Sequence, residues 1–79
     1  MPGVQYDPEI AKAMGFRIRN FRRGIGMSQE VFADELGISR GQVANIEVGR
    51  SATSIANVPA MCHLLGVTPN QIFGWDADE

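Results

Sequence analysis

The chain has 79 residues, 44% of them hydrophobic, and a formal charge of −2. That length and composition define one small globular domain rather than a disordered chain, able to bury roughly 60–65% of its unfolded surface. The mild charge excludes an indiscriminate histone-like nucleic-acid binder, and no apolar run approaches the ~20 residues of a membrane span or follows a basic leader, so a cytoplasmic chain without a membrane partner is expected.

Asp7-Pro8 pairs an N-cap with a proline at the first helical position, which predicts a first helix from Pro8 to about Arg23. Ile10, Met14, Ile18, Phe21 and Ile25 recur at helical spacing within one arc and are its expected core face, and Gly24 and Gly26 end it. The next stretch, SQEVFADELGISRGQVANIEVG from Ser28 to Gly49, reads as two short helices joined by a glycine turn. Phe32, Ala33 and Leu36 share one face of the helix that begins at Gln29. Gly37 supplies the positive φ that a helix stop needs. Ser39 is a natural N-cap, and Gln42 three residues later completes a capping box. At about 100° per residue, Val43, Ile46 and Glu47 then point one way while Arg40, Gly41, Ala44, Asn45 and Val48 point the other. An outward stripe of one arginine, one amide and small residues can lie close in a groove, which is the profile of a DNA-reading helix.

Ser51 to Ser54 is a polar connector to a fourth helix that ends at Gly66. Its start has two readings, because Pro59 tolerates only the first turn: Asn57 as N-cap, or a start at Ser54 with a kink at the proline. Thr68-Pro69-Asn70-Gln71 combines an N-cap, a first-turn proline and a capping-box glutamine, so a short fifth helix reaches Phe73 before Gly74. The chain beyond Trp75 is expected to fray. No strand alternation or repeat interrupts this pattern. The expected fold is all-α, one domain of five helices over residues 1–79 with its core in about residues 8–75.

Charge is unevenly placed. All seven Lys and Arg lie in residues 1–50 with six acids, whereas residues 51–79 hold only the acids Asp76, Asp78 and Glu79. A nucleic-acid footprint is a local basic patch, so the net charge does not decide against DNA. One cysteine, Cys62, excludes a disulfide framework, and Cys62 with His63 falls short of the about four ligands of a zinc site. The single histidine beside that cysteine makes no nucleophile–base set, and Gly24-Ile25-Gly26 follows a helix rather than a strand, so it is no phosphate loop. An enzyme is rejected, and no metal, cofactor or small-molecule ligand is expected.

The run RIRNFRRGIGMSQEVFADELGISRGQVANIEVGR followed by LLGVTPNQIF resembles the phage-repressor/Cro type of helix-turn-helix domain, the XRE family. The resemblance spans about Phe16 to Phe73. It implies a five-helix fold, a third helix that reads the major groove of double-stranded DNA, and a homodimer on a palindromic operator. Position by position, it implies base readout by Arg40, Gly41, Ala44 and Asn45, and phosphate contacts by Gln29, Ser39, Arg50 and Ser51. It also implies a structural ion pair between Arg22 and Glu47, in keeping with the cost of an unpaired carboxylate on the inner side of the third helix. The chain departs from the family pattern at Gly41, which has no side chain to read with, at Val48, where asparagine is common, and at Asn57 and Pro59.

Each residue also has a plainer reading. Arg40 and Asn45 would suit an ordinary solvated face. Arg17, Arg19 and Arg23 read as surface charge, with a phosphate contact open to one of them, His63 as solvent-facing, and Cys62, Met14, Met27 and Met61 as core or cap. Ile72, Phe73 and Trp75 are either core or a dimer contact, and the dimer is preferred. The expected function is a sequence-specific transcriptional regulator, a repressor built of the reading domain alone with no room for a sensing domain. The alternative is an antitoxin or partner-binding module on the same fold, which a toxin-like reading frame beside the gene would distinguish.

Overall fold

In the computed structural model, which describes residues 7–75, local cap chemistry sets the helix boundaries. The elements are α1 (Pro8–Gly24), α2 (Gln29–Leu36), α3 (Arg40–Glu47), a 3-10 turn (Ile55–Asn57), α4 (Val58–Leu65) and α5 (Pro69–Phe73). No strand occurs among the described residues, and none of their helices is long and apolar enough to cross a membrane. The Asp7 carboxylate accepts from the backbone N–H of Glu9 at 2.9 Å and starts α1. Ser28 caps α2, and Ser39 with Gln42 and Thr68 with Gln71 form complete capping boxes on α3 and α5. Gly37, at φ 74°, lets the chain reverse from α2 into α3 in three residues.

Ile18, Phe32, Val43, Met61 and Ile72 are fully buried and draw one side chain from each helix into a single core. The face of α1 differs from the expected arc. Ala11, Gly15, Ile18 and Arg22 are its buried positions, while Ile10 and Ile25 remain 58% and 50% exposed. The reason is close helix contact: small residues on α1 admit α3, and a Cβ on Gly15 would overlap the Ile46 carbonyl oxygen and stand 2.9 Å from that of Glu47. Ile25 falls past the helix as its C-cap residue. Met14 and Phe21 pack at the edge of the core.

The course around Pro59 follows the first reading in position, with Asn57 at the N-cap of α4 and Pro59 in its first turn, but not in the capping bond. Ser54 caps, but it caps the 3-10 turn through the N–H of Ala56, whereas Asn57 has helical backbone angles and makes no side-chain cap bond. The tight turn delivers Pro59 to the first turn of α4, where a missing N–H breaks no helical bond, so no mid-helix kink is needed. Ile72 requires a correction as a dimer contact: it is fully buried in the core of its own chain. The acidic tail, Asp76, Asp78 and Glu79, lies outside the described residues.

Candidate nucleic-acid interface

The inner side of α3 is fixed by a buried polar network. Arg22 Nε donates to Glu47 Oε2 at 2.6 Å and Arg22 Nη2 to Oε1 at 2.9 Å, a two-point clasp between α1 and the last turn of α3. Arg22 Nη1 donates to the Met27 carbonyl at 2.7 Å, and Gln29 Nε2 adds a bond to Glu47 Oε1 at 3.0 Å. Arg22 and Glu47 are only 6% and 3% exposed. Burial, the largest single influence on Glu47, pushes its carboxyl upward, yet the hydrogen bonds from Arg22 and Gln29 and the charges of Arg22 and Arg19 outweigh it and hold the group below its usual range. The Glu47 hydrogen bond raises the Arg22 guanidinium against the opposing effect of burial. Three helices thus meet at one carboxylate, with the Met27 carbonyl held beside it by Arg22, and the Gly15 contact adds backbone-to-backbone packing nearby. Gly49, at φ 80°, lets the chain leave α3 against Lys12, whose backbone N would stand 2.8 Å from any Cβ there.

The outer side of α3 is open. Arg40, Gly41 and Val48 are exposed, and Ala44 and Asn45 are half-buried between them. Ser39 is exposed at the head of the helix, where its hydroxyl oxygen accepts from the Gln42 N–H at 3.1 Å and its O–H is still able to donate outward. At the other end, the N–H groups of Arg50 and Ser51 bond the Asn45 carbonyl at 2.8 and 3.3 Å, which folds the loop back on α3 and leaves both side chains in solvent.

Two features differ from the sequence reading. The Gln29 side-chain amide is turned inward to Glu47, so the group it offers outward is the backbone N–H in the first turn of α2, where the helix dipole is positive. Arg23, read as surface charge, lines a polar notch of about 570 Å³ together with Arg22, Ser28, Gln29, Glu30 and Arg40. The sequence does not mark it, because neighbouring helix positions point about 100° apart and the place of Arg23 depends on how α2 packs beside the end of α1. This notch suits an anionic oxygen, with three arginines on its walls, of which Arg22 is already paired with Glu47, and with the acid Glu30 limiting their combined charge. Among the described residues no cluster of His, Cys, Asp or Glu is arranged for a metal ion. Cys62 sits half-buried against the core, its thiol pushed up by burial, and His63 is exposed.

A five-helix fold whose second and third helices make a tight, capped turn defines the helix-turn-helix class. Residues 18–72 match the helix-turn-helix family model, and the chain belongs to that family, as a DNA-binding transcriptional regulator of the XRE type. Similar solved structures include the restriction-modification controller protein C.AhdI from Aeromonas hydrophila, 29% identical with a TM-score of 0.73 over 78% of this chain and 94% of that one. The clp gene regulator ClgR from Corynebacterium glutamicum is 26% identical, with a TM-score of 0.78 over 84% of this chain and 70% of that one. The hypothetical transcription factor NHTF from Neisseria is 28% identical, with a TM-score of 0.74 over 92% of this chain and 85% of that one. No curated protein matches the chain significantly.

Proposed function

We propose that the chain is a cytoplasmic repressor that binds an inverted-repeat operator as a homodimer with α3 in the major groove. The observation that carries this reading is the contrast on α3: an outer stripe of small residues with Arg40 and Asn45, on a helix whose inner side is clasped at Glu47. Arg40 matches the N7 and O6 acceptors of guanine, Gly41 and Ala44 allow close approach, Ala44 meets a thymine methyl, and Asn45 offers an amide to a base edge. The Gln29 N–H, Ser39, Arg50 and Ser51 hold phosphates and fix the register. The likeness to C.AhdI, a restriction-modification controller protein, over 94% of that chain supports the reading as a regulator.

A helix of eight residues reads only a few base pairs, and a lone module falls short of the specific affinities of about 10⁻⁸ M or tighter that regulators reach. Two half-sites about 34–36 Å apart, one turn of DNA, supply the rest through a dimer. Phe73 and the exposed Trp75 belong to its contact surface. Selection of binding sites from random duplexes, followed by footprinting on the protein's own upstream region, tests the reading. A palindrome with a fixed guanine in each half, protected upstream of the gene, is expected. Recovery of no enriched motif would remove it.

A further inference from the structure

On the half of α1 remote from the notch, an open apolar groove of about 410 Å³ runs between that helix and the end of α5. Ile10, Ala13 and Met14 form one wall, and Trp75, tilted against Phe73 at a ring separation of 4.9 Å, forms the other. Trp75 is 73% exposed. The charged residues that line this groove are Glu9 and Arg17, one turn to either side of Ala13. Arg17 lies across Gly74 at the cap of α5 and has no ion pair among the described residues, whereas Glu9 has one loose, solvent-exposed contact with Lys12 at 4.0 Å, which a partner's arginine would have to compete with or join.

We propose that a second copy of this chain covers the groove, in a twofold pairing centred on Ala13 that sets Glu9 of each protomer against Arg17 of the partner subunit. The inference rests on the dimeric reading above and names its interface. A twofold contact must be self-complementary, with residue i meeting j and j meeting i. Glu9, Ala13 and Arg17 make a single i±4 ridge with opposite charges at its ends and a small residue at its midpoint. Ridges of this kind interdigitate in the commonest helix crossing, at about −50°. Antiparallel pairing of two such ridges opposes Glu9 to arginine at both ends, whereas parallel pairing would oppose like charges. Within one chain the two residues stand roughly 12 Å apart along α1, at a rise of about 1.5 Å per residue, too far to pair with each other.

The spacing also suits two reading heads. Arg23, on the wall of the notch, lies roughly 15 Å along α1 from Ala13, so the pairing puts the two notches roughly 30 Å apart, close to one turn of DNA. None of the residues that line the notch lines the groove.

Sedimentation equilibrium of the full chain without DNA, up to about 1 mM, tests the interface with wild type, Glu9→Arg, Arg17→Glu and the double swap. Each single reversal turns both attractive pairs into repulsive ones and is expected to weaken the dimer at least about tenfold, and the double swap, which restores them, to recover affinity to within about threefold. A fold defect would not be repaired by a second reversal. A wild type that stays monomeric, single variants that dimerise normally, or a double swap that fails to recover would each overturn the proposal and leave the groove to another occupant, residues 1–6 of the same chain included. Binding of selected duplexes, measured in parallel, separates the two readings. Dimers that obey the charge swap but bind no duplex sink the proposed function alone, and duplex binding by a dimer indifferent to the swap sinks this interface alone.

Discussion

The two sides of α3 are built on opposite principles. The inner side is specified atom by atom: Arg22 and Gln29 converge on Glu47, and the Gly15 backbone lies directly on the last carbonyls of the helix. The outer side is nearly featureless, with Gly41 and Ala44 between Arg40 and Asn45. A buried ion pair is weak evidence for stability, since a well-packed apolar pair often does as well, but it fixes one arrangement of the groups around it. A reader of base edges needs that fixity, because a hydrogen bond misplaced by an ångström is lost. Under the proposed function, rigidity on the side that touches protein lets the other side stay small and lie close to DNA.

Substitutions on the inner side should therefore lower stability and DNA binding together, and the largest effect is expected at Glu47. Glu47→Ala leaves Arg22 buried without its counter-charge and should cost about 3–5 kcal/mol in urea unfolding. The same pair sets an acid limit. The folded carboxyl titrates below its unfolded value of about 4.3, so its stabilisation is complete above that pH and drains away as pH falls through the lower, folded value. Stability of the wild type should drop over that acid window more steeply than that of Glu47→Gln. Equal slopes would mean that the carboxylate is not held as described. Gly15→Ala comes next, at about 1–3 kcal/mol, since the new methyl meets backbone oxygens that cannot swing aside. A melting temperature unchanged by that methyl would show that α1 and α3 can part freely.

How much of this was legible in sequence depended on distance along the chain. Caps and glycine stops act within about three residues, so Asp7-Pro8, Ser39 with Gln42 and Thr68 with Gln71 placed the helices directly. The close approach at Gly15 depends on where a helix 31 residues later comes to lie, and no periodicity in α1 carries that information. The stripe of large apolar residues consequently pointed to Ile10 and Ile25, while the contact itself favoured Ala11 and Gly15. Gln29 was legible as the first residue of α2, but not as a donor to Glu47, for the same reason. In α5, five residues are too few for a period to separate Ile72, which faces the core, from Phe73 and Trp75 at the groove. Arg22 and Glu47 were paired by family resemblance, with the buried carboxylate as the physical motive.

Substitutions on the outer side should leave the fold alone. Arg40→Ala should change unfolding by no more than about 0.5 kcal/mol, yet cost about 1–3 kcal/mol of operator binding and flatten preference at one base-pair position. An unchanged selected motif would return Arg40 to the solvated face. A loss of stability comparable to that of Gly15→Ala would blur the division between the two sides.

Arg50 offers the mildest and sharpest test, because it lies just beyond α3 and is anchored only through its backbone. Its N–H bonds the Asn45 carbonyl at 2.8 Å, a bond that alanine retains, so Arg50→Ala should preserve the turn after α3 and the melting temperature with it. What it removes is one exposed guanidinium. If that group meets a phosphate, every duplex should bind more weakly by the same factor, and the slope of log affinity against log salt should fall by about one, as one fewer counterion is released. Titrations of the selected palindrome and of an unrelated duplex at several salt concentrations separate the possibilities. A loss confined to the palindrome would make Arg50 a reader of bases and extend the reading surface past the end of α3. No loss with either duplex would remove Arg50 from the DNA-contacting surface.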